Sequence, residues 1–136
     1  MADTIRQVDY FYMMVPNKPG QGAKALVALK EAGVNLIAFS GFPEGRHAQI
    51  DFIPADSAAF KSAAKANKWK VIGPKRVLLI QGDDRVGVIA DMTRTLADAK
   101  INVIAIDAIG ANGRYGALCW VGPRDFKKAA QILNAQ

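Results

Sequence analysis

Apolar and polar residues follow one another along the chain in two patterns, which predict strands and helices. The stretch 8–15 is almost continuously apolar, which is typical of a strand covered on both faces. In the stretch 21–32 the apolar residues instead recur with helical spacing. Over the whole chain, these two patterns predict strands at 8–15, 34–39, 47–52, 69–72, 77–80, 101–109 and 115–121. They predict helices at 21–32, 56–67, 88–99 and 124–133.

The predicted elements occur twice in the same order because the sequence repeats itself. A constant offset of 67 relates residues 18–39 to residues 85–106. In the turn that follows we place one added residue, so that beyond it the offset is 68 and Phe52 aligns with Trp120. The chain is therefore predicted to be a duplication with repeats at 1–73 and 74–136.

Each repeat has the element order βαββαβ, which predicts an α+β fold. We expect two ferredoxin-like repeats, each with an antiparallel sheet and its helices on one face. The second repeat reaches Gln136 before any fourth strand of its own. Either the residues before Val8 or a partner chain is expected to supply that strand, because an uncovered sheet edge is a site of unwanted pairing.

The third strand of each repeat predicts what the helix-free face of the sheet displays. In the first repeat that face carries polar residues, namely His47, Gln49 and Asp51. In the second repeat it carries Tyr115, Ala117, Cys119 and Val121. Since an apolar face needs a cover, we expect the second one to meet another sheet or chain. We also expect a homodimer, formed through this face or through the edge strands.

Composition narrows the class of protein further. With 51% apolar and 22% charged residues the chain has ample material for a core. Its longest apolar run, from Tyr10 to Val15, is far shorter than the ~18 residues that cross a membrane, and charged residues stand where a secretory signal would be apolar. We expect a cytoplasmic protein with no membrane partner. The net charge of +6 is interpreted as a solvated surface.

Few residues are available for catalysis or metal binding. The single cysteine, Cys119, excludes an internal disulfide, and with the single histidine, His47, it leaves too few donors for structural zinc. No serine elbow or P-loop is present in the sequence. We therefore predict that the protein is not an enzyme and has no catalytic residue, metal or cofactor. His47 is expected at the surface and Cys119 as a small packing residue.

One polar pair occurs in both repeats. Asn17 lies in the first strand-to-helix loop and Asn35 opens the second strand 18 residues later, as do Asp84 and Asn102 in the second repeat. A glycine-bearing loop that leads into a helix leaves backbone N–H groups free, which favours a bound carboxylate or phosphate. Asparagine both donates and accepts, as a zwitterion requires. We expect the order of elements to bring each pair together in a small-molecule pocket, although these residues could also serve only to turn the chain.

The loop and the second strand resemble those of the ACT domain, the amino-acid-binding regulatory module of enzymes such as phosphoglycerate dehydrogenase and aspartokinase. The similarity is carried by residues 17–20 and 34–37, and less strongly by 84–87 and 101–104, where valine replaces the proline. It extends over residues 8–133. The resemblance implies that the first loop and the second strand hold the ligand at an interface between domains. Asn17 and Asn35 match the ligand-contacting asparagines of the family, and Gly20 and Gly87 match its loop glycine. The predicted ligand-binding residues are Asn17, Lys18, Pro19, Gly20, Asn35, Leu36, Asp84, Arg85, Gly87 and Asn102.

The resemblance also implies that two domains pair edge to edge into an eight-stranded sheet. Val15 and Gly82 stand where the family often has a polar ligand contact. Asp84 adds a negative charge that would repel a carboxylate, so the first repeat is the better amino-acid site. Because no catalytic domain accompanies the repeats, we expect any control to act on a separate protein, such as a regulated enzyme.

Two alternatives stay open. The same fold could be a structural pairing module without a ligand. RNA-recognition domains share the element order, residues 61–76 carry six basic residues and no acid, and residues 114–120 superficially resemble their third-strand motif. However, Ala117 stands where a base-stacking aromatic residue is required. We therefore expect no nucleic-acid partner and interpret the basic run as the solvated face of a helix and its linker.

Overall fold

The computed structural model describes residues 3–136, which form six strands and four helices. The strands are β1 (Thr4–Pro16), β2 (Leu36–Glu44), β3 (His47–Pro54), β4 (Ile72–Asp83), β5 (Val103–Ala111) and β6 (Arg114–Val121). The helices are α1 (Gln21–Glu31), α2 (Ser57–Ala66), α3 (Val88–Asp98) and α4 (Phe126–Ile132). The predicted α+β, ferredoxin-like element order is confirmed.

The strand predicted at 77–80 is part of a longer strand, β4, which begins at Ile72, whereas residues 69–71 of the strand predicted at 69–72 are not in a strand. Strand β1 likewise begins at Thr4, four residues before the predicted start at Val8. The apolar pattern missed both extensions because the added residues are mostly polar, glycine or proline, and their backbone pairing does not depend on an apolar side chain.

The chain divides into two compact units. The first unit is residues 9–75, and the second unit consists of residues 76–136 together with the N-terminal residues that the structure describes up to Val8. The predicted repeats at 1–73 and 74–136 describe the sequence and not these compact units, and their boundary stays a prediction. Strands β1 and β4 both contribute residues to each unit, which gives the first unit the strand order β2-β3-β1-β4 and the second unit the order β1-β4-β6-β5.

The second unit obtains its fourth strand from the N-terminal end of the chain. The carbonyl of Gln7 accepts a hydrogen bond from Nη2 of Arg76 at 3.2 Å, and the strand segment is further tied to the C-terminal residue. The Gln136 N–H donates to the Ile5 carbonyl and the Gln7 N–H donates to the Gln136 carbonyl, each at 2.8 Å. The residues before Val8 therefore fill the place that we predicted for them or for a partner chain.

The two units are related by an offset of 67 that also holds beyond the turn. Adding 67 to the bounds of β3, His47–Pro54, gives those of β6, Arg114–Val121. Phe52 pairs with Phe11, and Cys119 pairs with Leu78, the residue 67 positions after Phe11. Phe52 therefore corresponds to Cys119, and our added residue, which aligned Phe52 with Trp120, is wrong.

This correction reverses the predicted faces of β6. Tyr115, Ala117, Cys119 and Val121, which we placed on the helix-free face, pack in the core with the helix residues Leu96 and Ala129. Because side chains alternate along a strand, Leu118 and Trp120 point to the other face, where they are only 6% and 8% exposed. The prediction failed because both faces of β6 are apolar, so alternation alone does not identify the helix side.

The first unit has an aromatic core on the helix side of its sheet. Phe60 of α2 stacks on Phe11 with ring centroids 4.7 Å apart and lies 5.1 Å from Phe52. The Trp69 ring, just after α2, lies 6.0 Å from Phe52. Such contacts fix the segment that joins α2 to β4 against the end of the sheet.

Candidate functional site

The loops after β1 and after the equivalent strand β4 lead into helices whose first turns have no side-chain cap. The residues that precede α1 and α3, Gly20 and Gly87, have left-handed backbone with φ of 87° and 80°, which glycine adopts without steric cost. The first turn of α1 carries no acidic residue, whereas that of α3 carries Asp91. The start of α1 is thus the better of the two for a negatively charged ligand.

The structure does not bring Asn17 and Asn35 together within the first unit. Asn17 follows Pro16, which pairs with His47 at the start of β3. The carbonyl of Asn35 accepts a hydrogen bond from the Ala55 N–H, just beyond the other end of β3. At ~3.3 Å per residue the length of β3 separates them by about 23 Å. Our expectation that the order of elements brings them together is wrong, because β1 and β2 both run antiparallel to β3 and hence parallel to each other.

The second unit has the same arrangement. The Asp84 N–H donates to the Gly113 carbonyl, at the turn before β6, while Val103, next to Asn102, pairs with Val121 at its far end. The counterparts Asp84 and Asn102 are therefore also separated by the length of a strand.

All ten sequence-predicted site residues lie at or near the surface. Leu36 is half-buried, and the other nine, Asn17, Lys18, Pro19, Gly20, Asn35, Asp84, Arg85, Gly87 and Asn102, are exposed. Neither loop is enclosed by its own unit. A ligand held by these residues would need a further surface to cover it.

Arg85 already binds a carboxylate of its own chain. Its Nη2 and Nη1 donate to the two carboxylate oxygens of Asp3 at 2.8 and 3.2 Å. This hydrogen-bonded guanidinium lowers the pKa of the Asp3 carboxyl below its ordinary value of 3.8, and a hydrogen bond from Tyr115 contributes to the same shift. Burial, and then the charge of Asp3, raise the pKa of the Tyr115 hydroxyl.

Gly82 provides the space for that carboxylate. A Cβ at this position would overlap the Oδ1 atom of Asp3 and lie 3.0 Å from the Tyr115 ring. Gly82 is thus explained by the packing of Asp3, and Arg85 is not free to receive a ligand while this contact persists.

Sequence reasoning missed a cavity in the first unit. It has a volume of about 360 Å³ and lies between the end of β1, the beginning of α1 and the segment after α2. Three lysines line it, Lys24, Lys68 and Lys70, and Gln21 and Trp69 are beside them. The sequence signal for this cavity was the run of basic residues at 61–76, which includes Lys68 and Lys70 and which we interpreted only as a solvated surface.

The remaining polar candidates have ordinary surroundings. His47 is exposed at the start of β3, and Cys119 is fully buried, which raises the pKa of its thiol to about 11. Within residues 3–136 there is no group of three or more histidine, cysteine or acidic side chains placed to hold a metal ion. No helix in the same range is long and apolar enough to cross a membrane.

Comparison with protein families finds a match to the ACT domain over residues 76–135. The match falls on the second repeat, whose resemblance we expected to be the weaker one. A search of curated proteins found no significant match.

Solved structures share the fold over nearly the whole chain. Protein BT0572 from Bacteroides thetaiotaomicron superposes with a TM-score of 0.81 at 17% identity, covering 97% of this chain and 88% of that one. The ligand-free regulatory subunit of aspartate kinase from Thermus thermophilus gives 0.70 at 16% identity, covering 98% and 96%. The corresponding subunit from Thermus flavus gives 0.62 at 18% identity, covering 98% and 94%. Because these structures are only 16% to 18% identical to this chain in sequence, the similarity shows a shared fold.

Proposed function

We propose that this chain, in which residues 76–135 form an ACT domain, is a regulatory protein that senses an amino acid and acts on a separate partner protein. The observation that carries the proposal is the loop before α1. It begins a helix with no side-chain cap and no acidic residue in its first turn, next to the exposed Asn17. Such a loop suits the carboxylate of a zwitterion.

Within a single unit Asn35 lies far from the loop before α1, and a second copy of the chain supplies an Asn35 beside that loop. Strand β2 is the edge strand of the first unit. In an antiparallel pair of β2 strands from two copies, the start of each lies beside the end of the other. The end of β2, Glu44, pairs with His47, which pairs with Pro16 next to Asn17. Asn35 of one copy thereby shares a sheet end with Asn17 of the other.

We therefore assign the amino-acid site to residues of two copies. The loop 17–20 of one copy receives the carboxylate, and the side-chain carbonyl of Asn35 from the other accepts from the ammonium. The first unit is the preferred site, because in the second unit Arg85 is occupied by Asp3 and Asp84 adds a negative charge. Lys18, Pro19, Gly20 and Leu36 complete the proposed site, while Asp84, Arg85, Gly87 and Asn102 form its counterpart.

A thermal-shift screen of the twenty amino acids tests the proposal. We expect one or two of them to raise the melting temperature, since a ligand at about 100 times its Kd adds about 2.7 kcal/mol to the free energy of unfolding. The shift should be lost in Asn17→Ala and in Asn35→Ala and retained in Asn102→Ala, the matched control in the second unit.

Mixing the two inactive variants tests whether the site is shared. Each dimer of one Asn17→Ala chain with one Asn35→Ala chain contains one site with both asparagines intact. Random pairing of the two variants should therefore restore about a quarter of the binding sites. No restoration after subunit exchange, with both variants folded and dimeric, would show that one chain supplies both asparagines or neither.

A pairing module without ligand is the second candidate, and exposed apolar residues of the edge strands favour it. Ile104 and Ile109 of β5 are 62% and 73% exposed. If no amino acid changes the melting temperature and the protein is dimeric, amino-acid sensing is excluded and the pairing module remains as the function. RNA binding lacks comparable support, because Leu118 and Trp120 on the helix-free side of β6 are buried and offer no surface for stacking.

A further inference from the structure

We propose that the lysine-lined cavity of the first unit binds a small organic dianion, such as a dicarboxylate or a phosphomonoester, at a site that borders the proposed amino-acid site but uses different charged residues. The occupant combines two negative charges with a short apolar group. The inference rests on the charges of the cavity, on its lining, and on what fills the equivalent place in the second unit.

The charge of the cavity is unbalanced. Lys24, Lys68 and Lys70 line a space of about 360 Å³, and the residues that line it include no carboxylate. Within residues 3–136 the ammonium groups of these lysines take part in no hydrogen bond or ion pair. All three lysines are exposed side chains that line one space, and an anion bound there is stabilised by each of their charges.

The lining sets the size and the character of the occupant. A volume of about 360 Å³ falls at the lower end of the range for small-molecule sites. Met13 and Trp69 contribute apolar surface beside the lysines, and Gln21 can donate hydrogen bonds. A molecule with one small apolar group and two acidic oxygens at its edge matches these surfaces.

The second unit contains a carboxylate of its own at the equivalent place. At the offset of 67, Asp3 is the counterpart of Lys70, and Gly82 is the counterpart of Val15, which lines the cavity. The Asp3 carboxylate lies over Gly82 and binds Arg85. Where α1 has Lys24, α3 has Asp91, again at the same offset. The second unit thus has acidic side chains where the first unit has Lys70 and Lys24, so three cations line this place only in the first unit.

Isothermal titration calorimetry of the full chain provides the test, with phenyl phosphate, succinate and inorganic phosphate as probes. Benzyl alcohol is the neutral control. We expect saturable binding of phenyl phosphate or succinate with a Kd below about 1 mM, a weaker response to inorganic phosphate, and a loss of affinity as salt is added. The order of the first two probes distinguishes a phosphomonoester from a dicarboxylate.

Matched variants separate a built site from general attraction by a basic surface. The double variant Lys68→Gln with Lys70→Gln should bind at least about tenfold more weakly, because charge-assisted hydrogen bonds are lost. Lys61→Gln with Lys127→Gln removes the same charge from exposed positions outside the cavity and should bind as the parent does. Equal weakening in both double variants, or absence of saturable binding by every anionic probe, would overturn the proposal.

A single variant guards against loss of binding through unfolding. Lys68 has left-handed backbone with φ of 58°, which glycine adopts more readily, so Lys68→Gly removes the ammonium without lowering the melting temperature. We expect it to bind the anion more weakly than the parent. Asn17→Ala should retain the anion affinity, so that a failure of this proposal and a failure of the amino-acid site are distinguishable.

Discussion

At the residue scale, the contact between Asp3 and Arg85 shows how one carboxylate holds the N-terminal strand in place. Asp3 immediately precedes β1, and its side chain reaches the guanidinium of Arg85, in the loop before α3, and the Tyr115 hydroxyl. Gly82 leaves the space in which this happens. We predicted that Arg85 contacts a ligand because its position in a loop does not reveal that its guanidinium binds Asp3, 82 positions earlier in the chain.

The first prediction concerns the pH dependence of this contact. Because Arg85 lowers the pKa of Asp3 in the folded state below 3.8, the contact stabilises the protein at pH values above 3.8. The stabilisation is lost as the pH falls through the lowered pKa. Asp3→Asn should therefore melt at a lower temperature than the parent at pH 7, and the difference should vanish on acidification.

Arg85→Gln provides the control for that measurement. It removes the other partner, so the double variant should be no less stable than the less stable of the two single variants. Melting curves recorded between about pH 7 and pH 2 measure both effects. Additive losses, or a difference that grows on acidification, would contradict the prediction.

At the element scale, helices and strands were largely predictable because their apolar spacing is a local property. The bounds of α1 and α3 differ by 67 at both ends, as the repeat predicts. The register of β6 was not predictable in the same way, because apolar residues occupy both of its faces and the pattern is consistent with either orientation. Its backbone pairing with β4, a long-range property, determines that Cys119 faces the helices.

The second prediction compares equivalent helix ends. Gly33 follows α1 with φ of 72°, and Lys100, its counterpart at the offset of 67, follows α3 with φ of 62°. Left-handed backbone costs a residue with a Cβ about 1 kcal/mol, so Lys100→Gly should raise the free energy of unfolding by about 0.5 to 1 kcal/mol. Gly33→Lys should lower it by a similar amount. Urea denaturation measures both, and a destabilised Lys100→Gly would show that its side chain matters more than its backbone.

At the scale of the whole molecule, the sequence predicted the duplication and the need for a further strand, but not the location of the proposed ligand groups. Asn17 and Asn35 recur at the same spacing in each repeat, yet they lie at opposite ends of β3. Spacing along the chain contains no information about strand direction, which decides whether two residues meet. The lysines of the cavity were hidden for a similar reason, since Lys24 is far in sequence from Lys68 and Lys70.

The third prediction concerns the N-terminal strand. A chain without residues 1–8 lacks the segment that pairs with β4 in the second unit, so we expect that unit to lose its structure. Cys119 reports the change. It is fully buried with a pKa of about 11, and it should react with a thiol reagent at pH 8 in the shortened chain but not in the parent.

A synthetic peptide of residues 1–8 supplies the control. Added to the shortened chain, it should restore the protection of Cys119, and a peptide with Asp3→Asn should do so less effectively. A shortened chain in which Cys119 stays unreactive would show that the second unit is stable without the segment.

The shared use of β1 has a consequence for synthesis on the ribosome. Residues 9–75 are contiguous, so the first unit can close as soon as Lys75 has left the exit tunnel. Residues 4–8 precede the first unit in the chain, yet their partners in β4 and at Gln136 lie after it and are translated later. The nascent chain thus carries an unpaired strand segment until β4 and Gln136 have been translated.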